Sequence, residues 1–366
     1  MSNEDAASAS SEKWRAPPVG YEPQDPARYD PAIGLIGCGG ITVEHLTAYR
    51  AAGYRVVALC DVNWEAARKR QQEFYPDANI YEDPQDVLER DDVEVVDIAT
   101  HPDVRPELVA AALSAGKHVL SQKPFVLDLD VGRQLADLAE RQGVALAVNQ
   151  NGRWAPHFSY VRRLVAEGWL GKILAVHTGV HWDHSWVAGT EFEKVKHLIL
   201  FDFAIHWFDM LTCLMGDEVP RGVYATTSRS PQQKIAPHLL AQAQVEYDEA
   251  QASLVFDGSV TNGGHDSTFV AGTLGTFRSL GADLNQQTAT VTIGENSASP
   301  QLKGRWFPDG FHGTMGELLC AIEQGREPSH NARNNLRSLE LCFAAVASAE
   351  SGQPVVPGTV SRMPTT

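Results

Sequence analysis

The stretch from Ile33 to Asp61 constrains the fold more than any other part of the chain. An apolar run, Ile33-Gly34-Leu35-Ile36, leads into Gly37-Cys38-Gly39-Gly40-Ile41-Thr42, and a helix-like segment follows from Val43 to Ala52. A second apolar run, Val56-Val57-Ala58-Leu59-Cys60, ends on Asp61. The order is strand, glycine turn, helix, strand, acid. Glycines let the backbone turn sharply and approach a pyrophosphate, and the helix that follows offers free N–H groups and the positive end of its dipole. An acid closing the next strand can accept hydrogen bonds from the hydroxyls of an adenosine ribose. A glycine triplet alone serves many loops; with both strands and the acid in register it specifies a dinucleotide site.

Strand and helix signals keep alternating after Asp61. Helices are expected at Trp64 to Phe74, from Asp83-Pro84 toward Leu88, from Pro106 to Gly116, and at Leu127 to Arg141. Strands are expected at Val93 to Ala99, from His118 to Leu120, and at Val144 to Val148. Such alternation means a parallel sheet covered on both faces, a doubly wound α/β Rossmann domain. After about Asn151 the pattern changes. Helices at His157 to Glu167 and Leu200 to Met215 accompany strand-like runs at Leu174 to His181, Leu240 to Tyr247, Gln251 to Phe256, Thr268 to Gly272, Thr276 to Ser279 and Ala289 to Ile293. Short turns such as Asp257-Gly258 imply an open, mostly antiparallel sheet, and two helices, Phe311 to Glu323 and Asn334 to Ala349, close an α+β domain.

A length of 366 residues suits two domains. The division expected is a mobile or loosely docked tail over 1–29, rich in proline, a dinucleotide-binding domain over 30–151, a second domain over 152–356, and a tail over 357–366. The formal charge of −16 argues against nucleic acid or an anionic membrane surface as the partner. Five scattered cysteines, with no paired short spacing, fit free thiols in a reducing cytoplasm, and neither a disulfide framework nor a zinc site. No apolar run is long enough to span a bilayer.

In an open α/β sheet, ligands bind beyond the carboxyl ends of the strands. That rule places Ser121-Gln122-Lys123-Pro124 at the cofactor's reactive end, and it adds Thr100, His101 and Asn151 to the cofactor-binding set of Gly37, Cys38, Gly39, Gly40, Ile41 and Asp61. A lysine among apolar walls can relay a proton, although a solvated lysine before a proline is the bland alternative. Asp202 and His206 stand four apart in an otherwise apolar helix, so they are expected on one face, the carboxylate orienting the imidazole; a satisfied structural pair is the alternative. His181-Trp182-Asp183-His184-Ser185-Trp186 combines aromatic rings and hydrogen-bonding groups that suit a carbohydrate ring, or an ordinary packed strand end. A metal reading of His181, Asp183 and His184 fails because their spacing on a strand splits them between faces. No metal is expected. His197, Trp306 and His312 are weaker candidates.

Over nearly all of residues 30 to 355 the chain resembles the glucose–fructose oxidoreductase / inositol dehydrogenase (Gfo/Idh/MocA) family. The resemblance rests on Gly37-Cys38-Gly39-Gly40-Ile41 with His45, Cys60-Asp61, Ala115-Gly116-Lys117-His118-Val119 leading into Lys123-Pro124, and Gly168 with Gly171-Lys172-Ile173. It continues through the Asp202, His206 and Asp209 helix to Gly272-Thr273-Leu274-Gly275-Thr276. It implies Lys123 as the catalytic lysine, His206 as the acid–base histidine, Asp202 as the carboxylate beside it, and a homodimer or homotetramer built through the C-terminal sheet. Two positions depart from the family. Thr42 replaces the third glycine of the turn, and Gln122 replaces the usual glutamate, so a neutral amide is expected near the nicotinamide ribose or amide. Arg105 stands where many relatives carry a histidine. Asp61 favours NAD over NADP, since a 2′-phosphate would meet a carboxylate; Arg68 on the next helix leaves NADP open.

The expected activity is an NAD-dependent dehydrogenase acting on a secondary alcohol of a sugar, cyclitol or related polyol. Lys123 and His206 would handle the proton, with Arg153, Trp182, His184 and Trp186 at the substrate. The alternatives are a redox-neutral enzyme that uses bound NAD for transient oxidation, or a catalytically silent NAD- or sugar-sensing regulator. Retention of Lys123, Asp202 and His206 argues against the regulator.

Overall fold

The computed structural model describes residues 14–231 and 233–364. Strands β1 (Ala32–Ile36), β2 (Arg55–Cys60), β3 (Asn79–Tyr81), β4 (Val93–Ile98), β5 (His118–Gln122) and β6 (Leu146–Asn149) form a parallel sheet in the order β3-β2-β1-β4-β5-β6. Between them run helices α1 (Thr42–Ala52), α2 (Trp64–Phe74), α3 (Pro84–Leu88), α4 (Arg105–Ser114) and α5 (Leu129–Gln142). This is the doubly wound dinucleotide-binding order, with its switch point between β1 and β4. Local chemistry sets the helix starts. The side chains of Asn63, Asp83 and Asp128 accept the N–H groups of Glu65, Gln85 and Asp130, capping α2, α3 and α5. The central strand β1 is buried along its whole length, and Ile33 and Leu35 are fully enclosed. Each such side chain withdrawn from water contributes roughly 2–3 kcal/mol.

Past β6, a one-turn helix at Asn151–Trp154 leads into α6 (Pro156–Ala166) and the second domain. Its sheet comprises β7 (Ile173–His181), β8 (Gly222–Ser228), β9 (Leu240–Glu246), β10 (Gln251–Asp257), β11 (His265–Gly272), β12 (Gly275–Asp283), β13 (Gln286–Ile293) and β14 (Asn296–Ala298). The order is β14-β13-β12-β11-β7-β10-β9-β8, antiparallel except where β10 runs parallel to β7. Helices α7 (Ile205–Met215) and α9 (Ala332–Ser351) line its buried face, with α8 (Asp309–Gln324) between them in sequence. Strands β3, β8 and β14 were not expected. β3 and β14 are three-residue edge strands, too short to carry a periodicity, and β8 points only small groups, Val223 and Ala225, at the core.

The packing also departs from the expected division of the chain. Helix α8 lies against α1 and β6, and its Phe311, Met315, Leu318 and Leu319 share one apolar cluster with Ile33 and Leu35 of β1. Both proposed tails are docked where described. Tyr160 and Ser159 donate to the carbonyls of Pro17 and Tyr21, and the Glu323 carboxylate accepts the N–H groups of Ala27, Arg28 and Tyr29. Buried Val19 adds an apolar anchor. At the other end Ser361 and Met363 pair with Leu129 and Leu127. Residues 1–13 and 365–366 lie outside the described part. Among the described residues, the cysteines form no disulfide, and no helix is long and apolar enough to cross a membrane.

Candidate active site

The expected cofactor residues lie at five strand ends along one edge of the parallel sheet. Gly37 follows β1, Asp61 follows β2, Thr100 and His101 follow β4, Lys123 follows β5, and Asn151 follows β6. Gly37 has φ 93°, and a Cβ there would stand 2.9 Å from the Ala99 carbonyl, so only glycine fits. Cβ atoms built on Gly39 and Gly40 would meet nothing within 4 Å, so the turn faces open space in which a pyrophosphate can lie against bare backbone. Asp61 accepts the N–H groups of Cys38 and Asn63 at 2.7 and 2.8 Å, which locks the turn to the end of β2. A carboxylate has lone pairs left over for two ribose hydroxyls. The residues present fit a dinucleotide. Cys38 contributes backbone only: its thiol is buried beneath the turn, and burial pushes its pKa up to about 12.

Lys123 and Asp202 meet across the two domains. The Lys123 Nζ donates to the Asp202 carbonyl at 2.9 Å and to its carboxylate at 3.2 Å, with both side chains less than one-fifth exposed. His206 begins α7 in a buried position beside Gly152, where a Cβ would come within 3.3 Å of its Nδ1. Trp306 stands edge-on to the imidazole at 5.2 Å. Burial, reinforced by the Lys123 charge, holds the His206 pKa well below the ordinary histidine value, so the ring is neutral at neutral pH.

The expected pairing of Asp202 with His206 is not formed. Residues Ile199–Phe203 make a π-turn, in which the Ala204 N–H reaches back to the Ile199 carbonyl at 2.8 Å. An i,i+4 pair shares a face only on a regular α-helix; the wider turn rotates Asp202 toward Lys123 instead. Such π-turns recur at functional sites.

Four other assignments change. The Arg153 guanidinium is buried and forms a two-pronged ion pair with Asp209, both bonds 2.6 Å, and it also donates to Ser329 and Asn334. It braces the one-turn helix against α7 and α9 and is no substrate ligand. Truncating one partner of a buried pair strands the other charge. Asp209→Ala is therefore expected to lower unfolding free energy by about 3–5 kcal/mol in urea denaturation. A loss below about 1 kcal/mol, the range of an exposed pair, would contradict that role. The buried Gln122 amide is spent inside the protein: its nitrogen donates to His45 at 2.9 Å and its oxygen accepts the Lys123 N–H at 2.7 Å. Asn151 spends its side-chain oxygen on the Trp306 indole at 2.6 Å. Thr100 serves through its carbonyl, which accepts from Arg105.

Several functional supports escaped sequence reasoning. His45 donates to Asp97 at 2.7 Å, Tyr49 donates to the same carboxylate oxygen, and Gln122 completes a buried chain that ends at the Lys123 backbone. The buried Arg105 donates to the carbonyls of Thr100, Gln122 and Pro124, gripping the backbone on both sides of Lys123. Burial lowers its pKa to about 9, which leaves it charged at neutral pH. Trp182, His184 and Phe203 pack together, their rings 3.9–5.7 Å apart, and exposed Trp186 lies edge-on to Phe203 and Phe192. Both ring nitrogens of His184 and the indole nitrogen of Trp182 are buried without partners, and burial lowers the His184 pKa to about 4. His181 pairs with Asp257, Asp183 accepts from Ser185, His197 pairs with Glu350 and His312 with Asp25. Those are structural contacts. Among the described residues no cluster of three or more His, Cys, Asp or Glu could hold a metal ion.

Comparison with known proteins gives this arrangement a family. Residues 32–150 match the model of the oxidoreductase family with an NAD-binding Rossmann fold, and residues 158–278 match the GFO/IDH/MocA C-terminal domain. The chain belongs to the Gfo/Idh/MocA family, and it is an NAD(P)-dependent oxidoreductase with NAD as cofactor. It is similar to the D-apiose dehydrogenase of Paraburkholderia graminis, at 31% identity over 88% of each chain. The inositol 2-dehydrogenase of Paracoccus denitrificans is 27% identical over 87% of this chain and 94% of its own. Among solved structures, an Agrobacterium radiobacter oxidoreductase in complex with NAD+, L-tartaric acid and magnesium superposes with a TM-score of 0.80. It is 22% identical, over 90% of this chain and 99% of its own, a likeness of fold.

Proposed function

We propose that this enzyme reversibly oxidises a secondary alcohol of a sugar, cyclitol or related polyol. The observation that carries the reading is the contact of Lys123, at the end of β5, with Asp202, which stands one turn before the buried, neutral His206. Bound NAD supplies the hydride acceptor, nicotinamide C4. Everything else falls to the protein. His206, unprotonated at neutral pH, accepts the hydroxyl proton. The Lys123 ammonium has three N–H donors; Asp202 holds the group in place, and a donor turned to the substrate oxygen stabilises the negative charge growing there. General acid–base transfer of this kind contributes about 10²–10⁴-fold. Arg105 and the His45–Gln122 chain keep the Lys123 backbone still. Trp182, His184 and Trp186 form the substrate wall, with Trp186 the exposed member and His184 packed behind it against Phe203. The polyhydroxylated substrates in the names of the relatives support the class.

A panel of aldoses, polyols and inositols, assayed for NADH formation with Lys123→Ala protein as blank, tests the reading. Wild-type protein should reduce NAD with at least one cyclic or acyclic polyol. Substrate conversion without NADH release would instead favour the redox-neutral reaction, and silence across the panel would count against the substrate class.

A further inference from the structure

The turn that cradles the dinucleotide lacks its third glycine, and the residue in its place is tied to an arginine from the neighbouring helix. Thr42 is fully buried, and its hydroxyl donates to the Gly39 carbonyl at 2.6 Å. The Arg70 side chain crosses from α2, 7% exposed, and its Nη2 donates to that same carbonyl at 3.0 Å, while its Nε reaches the Thr42 hydroxyl at 3.2 Å. The Thr42 N–H also points at the Gly39 oxygen, at 3.3 Å. Three donors therefore converge on one carbonyl from the protein side. Glu73 accepts from Arg70 Nη1 at 2.9 Å and fixes the guanidinium plane.

Peptide geometry turns this contact into a consequence for the cofactor. In a trans peptide the C=O and the following N–H point in opposite directions. Drawing the Gly39 carbonyl toward buried Thr42 and Arg70 therefore directs the Gly40 N–H outward, to the open side of the turn. That N–H finds no acceptor among the described residues, and both glycines are exposed there. A third glycine would offer no hydroxyl for Arg70 to hold.

We propose that Arg70 is a positioning residue for the dinucleotide: with Thr42 it pins the Gly39 carbonyl inward and so aims the Gly40 N–H at the pyrophosphate. Its guanidinium acts through this peptide, with Glu73 beside it offsetting its charge. The role suits a fork of several donors; a lysine, with a point charge, cannot hold the carbonyl and the hydroxyl in one plane.

Calorimetric titration of NADH, ADP-ribose and adenosine tests this without recourse to turnover, so its outcome is independent of the substrate assignment. In Arg70→Met, NADH and ADP-ribose should bind about tenfold more weakly, the scale of one charge-assisted hydrogen bond, and adenosine, which lacks the pyrophosphate, within about twofold of wild type. Thr42→Val should give a similar loss, and the double variant little more than either alone, because both act through one carbonyl. Arg70→Lys keeps the charge and should still lose most of the affinity; it also serves if the methionine variant does not fold. Unchanged NADH binding in either Arg70 variant, a parallel loss for adenosine, or losses that multiply in the double variant would overturn the proposal.

Discussion

Lys123→Ala protein should bind NADH within about threefold of wild type and yet turn over its substrate about a thousandfold more slowly. The split follows from where the side chain points. On the proposed reading the Gly37 turn and Asp61 supply the dinucleotide affinity, and the hydrogen bonds of the Lys123 ammonium go to Asp202 and to neither of them. Its ammonium lies against Asp202, where the substrate oxygen would carry growing negative charge. Removing it deletes a stabilising charge that matters most in the transition state, so kcat falls while cofactor binding persists. The truncation also leaves the Asp202 carboxylate without its cation. Asp202→Asn, which keeps shape and loses charge, should lower the rate less than Lys123→Ala does. Turnover surviving in Lys123→Ala would remove the lysine from the reaction.

His206→Ala should lower kcat by about 10²–10⁴-fold near neutral pH, with little change in NADH affinity. The pH profile gives the sharper reading. Burial and the Lys123 charge both disfavour imidazolium, so the folded-state pKa lies well below the ordinary value. A base must be deprotonated to act; wild-type kcat/KM should therefore hold steady as pH falls through 6.5 and drop only at lower pH. In His206→Gln that acid limb should vanish along with most of the rate. A limb centred at an unperturbed histidine value, or a normal rate in His206→Ala, would contradict the assignment. Weakening the Lys123 charge should move the limb upward, because Lys123 is one of the two groups that depress the His206 pKa.

What the sequence disclosed, and what it hid, divides along a physical line. The place of Lys123 was legible because strand ends are ligand sites in a parallel sheet, and strand β5 stops one residue before it. His206 was legible because an ionisable group in a helix as apolar as α7 needs a reason to be there. Its partner was misjudged, since helical periodicity was extended across Ile199–Phe203 and nothing local announces a π-turn. Arg153 sits two residues after Asn151, but adjacency does not tell a side chain's direction; the carboxylate that claims it lies 56 residues away. Arg70 lies 31 residues from Gly39, inside the expected helix Trp64 to Phe74, and nothing local to that helix ties it to the glycine turn. Long-range polar contacts of this kind have no periodicity. The same applies to residues 14–29, whose prolines and weak patterning read as a tail although Glu323 and Tyr160 fasten them down.

In the proposed reaction hydride passes from a substrate carbinol carbon to NAD beside Lys123 and Asp202, with His206 taking the proton. A substrate found in the panel, deuterated at the oxidised carbon, tests that directly when the cofactor is recovered after a single turnover and examined by mass spectrometry and NMR. The deuterium should be carried at nicotinamide C4 of the NADH formed, in one stereochemical position, and Lys123→Ala protein should form almost none in the same time. Substrate oxidised with unlabelled cofactor, or label transferred equally fast by Lys123→Ala, would contradict it.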